Sequence, residues 1–182
     1  MSTPNPSRLV HAADVFSDPL VEELLALRLV GVLATGEAGG LVHAVPMWVC
    51  ATDRDIVLAT GGGSRKLRNL ERDPRATLVL HDSRSGCDVF GASFRGEVEI
   101  VRPPQSRPLI ERVHRHYVTA EGLELPEVSA FLGGDDVALR FRPERALVWD
   151  QRDTVAALVL NASGEALPLE PTAPREPSPM SS

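Results

Sequence analysis

Residues 55–74 read DIVLATGGGSRKLRNLERDP, and the order of chemistries within them decides how the whole chain is read. Asp55 to Thr60 is an apolar run of strand length, and Gly61-Gly62-Gly63 breaks it. Ser64 to Arg72 then has the composition of a short helix stopped at Asp73-Pro74, because the residue before a proline is steered out of the helical region. A helix N-terminus offers unpaired N–H groups and a partial positive charge. Glycines ahead of it let a ligand approach the backbone with no Cβ in the way. Ser64 can cap the helix or donate its hydroxyl, and Arg65 and Lys66 add two full charges, so a phosphate is the natural guest. The Walker spacing GxxxxGK[ST] is not met. On its own, the stretch reads equally well as a glycine turn ahead of a solvated basic helix.

Outward from this turn the chain alternates strands and short helices. Toward the N-terminus, Leu29 to Thr35 and Leu41 to Ala51 are two apolar runs parted by Gly36-Glu37-Ala38-Gly39-Gly40, the pattern of a hairpin. Asp18-Pro19 offers an N-cap and a first-turn proline, with Leu20, Leu24, Leu25 and Leu27 behind it, so a helix is expected over 18–28. Residues 1–14 read as a flexible arm. Toward the C-terminus, strands are expected at 75–82 and 89–101, a helix over 105–120, a short helix over 125–132, and strands at 136–141, 145–150 and 154–160. From Ser163 onward five prolines stand among small and polar residues, which predicts a disordered tail over 163–182. The domain therefore spans 15–162. Its first strands connect through turns too short for crossover helices, so the fold class is mainly β (α+β), an antiparallel barrel with inserted helices and not a doubly wound sheet.

Composition narrows the partners. At 43% hydrophobic and 24% charged residues, with no stretch of the ~18 to 20 apolar residues that a membrane span needs, the chain is expected to work away from the membrane. The first residues lack the apolar core of a secretory leader, and the cytoplasm is the expected compartment. A formal net charge of −6 argues against nucleic acid as partner and leaves small molecules. Cys50 and Cys87 have no Cys or His neighbour at metal-ligand spacing and are expected to be reduced and buried. Eighteen arginines stand against a single lysine, Lys66; a compact three-donor ammonium at that position supports a role that the arginine fork does not fill.

The order of features resembles the pyridoxamine 5′-phosphate oxidase-like, FMN-binding split-barrel superfamily, including its deazaflavin-using branch. The resemblance covers residues 20–150 and rests on VGVLAT at 30–35, LVHAVPMWV at 41–49, and Thr60 followed four residues later by Ser64-Arg65-Lys66 on a helix that ends at Asp73-Pro74. FRGEVEIV at 94–101 is similar to the family's next long strand. The resemblance implies a split β-barrel in which Arg65 and Lys66 bind the terminal phosphate of FMN, with Ser64 and Asn69 assisting. Ala59 and Thr60 would lie along the ribityl chain, and Val45, Pro46, Met47 and Trp48 against the isoalloxazine ring. The deazaflavin coenzyme F-420 is the alternative cofactor, its acidic tail suiting Arg68 and Arg72. The resemblance also implies a homodimer with cofactor sites at its interface, acting as an oxidoreductase on a small organic substrate. A non-catalytic flavin or haem carrier on the same barrel is the competing reading. Gly91 stands where pyridoxamine-phosphate oxidases carry a glutamine, which argues against vitamin B6 oxidation.

No other constellation competes. His114 and His116, two apart on a helix, cannot chelate one metal and are expected to be exposed. His43 and His81 lack paired Asp and Ser, and Asp135-Asp136 reads as surface. No side chain is nominated as a catalytic acid or base, because a flavin ring carries its own chemistry.

Overall fold

The computed structural model describes residues 7–83, 89–126 and 134–152. Among these residues eight antiparallel strands make one sheet: β1 (Ser7–His11), β2 (Val30–Gly36), β3 (Val42–Trp48), β4 (Cys50–Ala51), β5 (Ile56–Thr60), β6 (Arg75–Ser83), β7 (Val89–Val101) and β8 (Val137–Asp150). Among the described residues four α-helices are inserted between them: α1 (Pro19–Ala26), α2 (Arg65–Arg72), α3 (Arg107–Tyr117) and α4 (Ala120–Leu123). Spatially the strands run β3-β2-β6-β7-β8-β5-β4, with β1 on β8 as well. This is the split β-barrel expected. β3 and β4 are the two ends of that order, yet only Val49 separates them in the chain. The sheet must therefore curl until its ends meet, which explains why the single run Leu41 to Ala51 pairs with β2 through its first part and with β5 through its last.

The joint is held by a tyrosine. Val49 donates its N–H to the Tyr117 hydroxyl at 3.0 Å, and that hydroxyl lies 2.5 Å from the Leu29 carbonyl and 3.0 Å from that of Val49. Tyr117 comes from α3, whose Ile110 and Val113 pack on Cys50, Val57 and Ala138 as a small second core. The main core lies inside the curl, where Leu24, Leu33, Leu58, Leu78, Leu80, Phe94, Leu139 and Phe141 are fully enclosed. Leu24 comes from α1, and the others come from alternate strand positions, as the period of two requires.

β8 gives the barrel its split character. It pairs with β7 along nearly its whole length, with one register shift at Arg95/Gly96, while its other edge is shared by β5 (Ile56↔Phe141) and β1 (Leu9↔Leu147). Two expectations are corrected here. The strands expected at 136–141 and 145–150 are one strand, because Pro143 falls opposite the register shift, where a missing N–H interrupts little. The arm expected over 1–14 carries β1 and a 3-10 segment over Ala12–Ser17. Nothing in Ser7-Arg8-Leu9-Val10-His11 announces a strand; the free edge of β8 recruits it.

Helix starts follow their caps. Asp18 accepts from Leu20 N–H at 3.1 Å and Val21 N–H at 3.3 Å and pairs with Arg8. The stretch expected as one helix to 120 breaks at Val118, and Thr119 caps α4 anew through Gly122 N–H at 3.2 Å. The helix expected over 125–132 lies largely outside the described residues, and so do the strand at 154–160, the tail and Cys87. No helix among the described residues is long and apolar enough to cross a membrane.

Candidate functional site

β5 delivers the chain to the glycine turn at the end of the sheet, and Ser64 starts α2 there. Ser64 Oγ accepts from Leu67 N–H at 3.4 Å and from the Thr60 hydroxyl at 3.1 Å, while Ser64 N–H closes the turn on the Gly61 carbonyl at 3.1 Å. Ser64 Oγ thus ties the end of β5 to the first turn of α2. The N–H groups of Arg65 and Lys66 open the helix, where no intrahelical acceptor exists. Arg68 donates to the Gly63 carbonyl at 2.6 Å, which fixes the turn against the helix.

Three cations surround this start, and they are not equivalent. Arg65 leans on Glu37 at 3.3 Å, an exposed pairing contributing roughly 0–1 kcal/mol. Lys66 is half-buried, burial lowers its pKa, and it has no carboxylate partner among the described residues. Loss of water around an ammonium strengthens whatever anion replaces it.

α2 itself is moored to the β2–β3 hairpin. Asn69, 5% exposed, donates Nδ2 to Thr35 Oγ1 at 3.1 Å, Thr35 in turn lies 3.4 Å from the His43 carbonyl, and Arg72 reaches the Gly36 carbonyl. Of the residues expected at the phosphate, Ser64, Arg65 and Lys66 therefore sit together at the helix start, Thr60 is bonded to Ser64, and Asn69 faces the hairpin. Ala59 lies on β5 opposite Ala138, half-buried.

The stretch Val45–Trp48 begins two residues beyond His43 and leads away from α2 along β3. Met47 turns into the core and Val45 is half-buried, while Pro46 and Trp48 face outward. Pro46, lacking a donor, suits an end strand. Trp48, 41% exposed, stacks on Tyr117 with centroids 4.9 Å apart and planes 7° from parallel, and meets His114 edge-on at 5.8 Å. His114 is not the exposed residue expected. It shares the buried face of α3 with Ile110 and Val113, and its Nδ1 lies 2.9 Å from the Ile110 carbonyl, which makes Nδ1 the protonated nitrogen.

Sequence reasoning missed the acidic neighbours of the turn. A Cβ placed on Gly62 would stand 2.8 Å from Asp135 Oδ2, and one on Gly61 would stand 3.6 Å from Asp136 Oδ1. Burial, then repulsion from Asp135, raises the pKa of Asp136 against a smaller opposing pull from His114. More than seventy residues separate the turn from this pair, and no local pattern could have connected them.

At the far end of β8, Trp149 lies across from Gly91. A Cβ at 91 would fall 2.5 Å from the Trp149 ring and 2.6 Å from the Leu80 carbonyl. The space a glutamine would need at 91 is filled by the indole.

The family model described as pyridoxamine 5′-phosphate oxidase matches residues 17–150. Among solved structures, a conserved hypothetical protein from Mycobacterium tuberculosis is 30% identical, with a TM-score of 0.64 over 79% of this chain and 91% of its own. A protein described as an F-420 reductase is 25% identical, with a TM-score of 0.57 over 69% of this chain and 94% of its own. The haem storage protein HutZ from Vibrio cholerae shares the fold at 16% identity, with a TM-score of 0.59 over 73% of this chain and 94% of its own. No curated protein matches the chain.

Proposed function

Since the chain belongs to the pyridoxamine 5′-phosphate oxidase family, we propose that it is a flavin- or deazaflavin-dependent oxidoreductase whose cofactor phosphate docks at the start of α2. The observation that carries this reading is Lys66: the chain's single lysine, half-buried beside two free helix N–H groups and the Ser64 hydroxyl. These donors fit a phosphate in number, charge and direction. Arg65 joins them by leaving Glu37.

The isoalloxazine or deazaflavin ring, when bound, supplies the hydride chemistry. The residues of the chain anchor, orient and exclude water. Ser64, Arg65 and Lys66 hold the phosphate, with Asn69 assisting by fixing α2 on the hairpin. Ala59 and Thr60 border the linker, and Val45 to Trp48 border the ring. No side chain acts as acid or base in this scheme. FMN is the first choice and the deazaflavin the alternative, the latter supported by likeness to the F-420 reductase. Vitamin B6 oxidation is not proposed, because Trp149 occupies the space beside Gly91.

We place the enzyme in the cytoplasm as a homodimer acting on a small molecule. Support for the dimer comes from the β2–β3 hairpin, where Val30, Leu41, Val42 and Trp48 are large, apolar and exposed, a surface suited to burial against a second copy.

The purified protein is to be titrated with FMN and with the deazaflavin, and its absorption spectrum compared with that of the Arg65→Ala/Lys66→Ala variant. Flavin bands that bleach with a reductant and return with an acceptor are expected, with affinity in the variant lower by roughly 2–5 kcal/mol. A Soret band on haem addition, or no association with either coenzyme, refutes the assignment.

A further inference from the structure

At the opposite end of β5 from the glycine turn, the chain builds a second cationic site. Thr52 to Asp55 forms a closed turn: Thr52 N–H donates to the Asp55 carbonyl at 2.8 Å, and Asp55 N–H donates to Thr52 Oγ1 at 3.1 Å. This locks the Asp55 carboxylate, 4% exposed, in place. Arg140 and Arg142 stand two apart on β8, so their side chains share one face of the sheet. Both turn to Asp55, Arg140 Nε at 3.1 Å and Arg142 Nε at 3.2 Å, and Arg142 also donates to Glu99 at 2.5 Å.

Two guanidiniums against Asp55 and Glu99 already balance in charge. Those four groups pair with one another in charge, but two further arginines converge on the same place. Arg54 on the turn and Arg112 on α3 line, together with Asp55, Arg140 and Arg142, an open cavity of about 500 Å³. Neither Arg54 nor Arg112 has a carboxylate ion-pair partner among the described residues; Arg112 is held at the rim by one bond, Nη2 to the Ala51 carbonyl at 3.0 Å. Asp53 also lines the cavity, so four arginines meet three carboxylates, Asp53, Asp55 and Glu99, and one positive charge is left over. That sign is opposite to the net charge of −6 of the chain. Arg140 adds a second asymmetry: its buried Nε lies close to Asp55 but has no aligned hydrogen-bond acceptor. Guanidinium donors brought from a turn, a helix and a strand on fixed supports match a tetrahedral oxyanion better than a single planar carboxylate, which one fork would satisfy.

We infer that the cavity between the Thr52–Asp55 turn, α3 and β8 is a binding site for a phosphate group of a small molecule, separate from the anion site at α2. β5 spans five residues between the two, on the order of 15 Å at strand rise, so one phosphate cannot occupy both. The site depends in no way on the cofactor assignment.

The test is calorimetric titration of the full chain with inorganic phosphate at constant ionic strength, with succinate as the carboxylate arm. Three proteins are compared: the wild type, Arg54→Ala/Arg112→Ala, and Arg65→Ala/Lys66→Ala. Saturable phosphate binding is expected in the wild type. It should persist in Arg65→Ala/Lys66→Ala and weaken about tenfold or more in Arg54→Ala/Arg112→Ala, since two charged contacts are removed. Both substituted arginines are exposed and outside the Asp55 network, and a thermal melt verifies that the variant is folded; if it is not, Arg54→Gln is titrated in its place. Binding that vanishes with Arg65 and Lys66, binding untouched by loss of Arg54, or succinate bound in preference to phosphate would each overturn the inference.

Discussion

Asp135 presses its carboxylate against Gly62, so closely that a Cβ on residue 62 would come within 2.8 Å of Oδ2 and 3.0 Å of the Asp135 carbonyl oxygen. The turn proposed to receive an anion therefore has a carboxylate along its flank. Under that proposal an arriving phosphate would be drawn by Lys66 and opposed by Asp135.

Removing that opposition should tighten cofactor binding. Asp135→Asn keeps the size of the side chain and deletes its charge, and the gain is expected at roughly 0.5–1 kcal/mol, the scale of an exposed charge interaction. Fluorescence titration with FMN measures it. Affinity that stays level or falls would mean that the phosphate does not approach this side of the turn.

The acid beside it governs a pH response. The pKa of Asp136 is raised above its ordinary 3.8 by burial and by Asp135, so the folded chain holds a proton there that the unfolded chain has released. Folding takes up that proton between the two pKa values, and stability drops as pH climbs through this window. Asp136→Asn should flatten the drop and leave the protein more stable at neutral pH. Urea midpoints measured across the acidic range for both proteins would show the two curves converging at low pH.

Tyr117→Phe isolates the joint between the two ends of the sheet. The ring and its stacking on Trp48 remain, but Val49 N–H loses its acceptor and the carbonyls of Leu29 and Val49 lose a donor. A loss of about 1–3 kcal/mol in unfolding free energy is expected from a buried donor left unsatisfied. A variant with unchanged denaturation would show that the curl closes by packing alone.

Asn69→Ala separates anchoring of the helix from anchoring of the ligand. The lost bond to Thr35 is buried, so stability should fall by about 1–3 kcal/mol while FMN affinity changes far less than in Arg65→Ala/Lys66→Ala. Chemical denaturation and cofactor titration on the same samples make the comparison. An affinity loss equal to that of the double variant would place the Asn69 amide on the phosphate itself.

Much of this architecture is legible in the primary structure where local rules act alone. α2 begins and ends where Ser64 and Asp73-Pro74 require, and the β2–β3 hairpin turns on its glycines, with Gly40 at φ +83. β7 spans the residues expected of it, Val89–Val101. The misreadings share one origin, which is partner geometry. β1 exists because β8 has an open edge, and β8 continues through Pro143 because β7 shifts register opposite it. His114 is inside because α3 rolls that face onto β5 and β8.

Residue order alone determined the strand-turn-helix unit at 56–72, its cap and its positive charge, since capping, proline stops and hydrophobic periodicity act over a few residues. Only the folded chain decided which carboxylates confront that charge, how Asn69 is oriented, and that Arg54, Arg112, Arg140 and Arg142 meet around Asp55. Coulombic and hydrogen-bond energies depend on distances through space, and those distances are set when the curling sheet brings remote segments together.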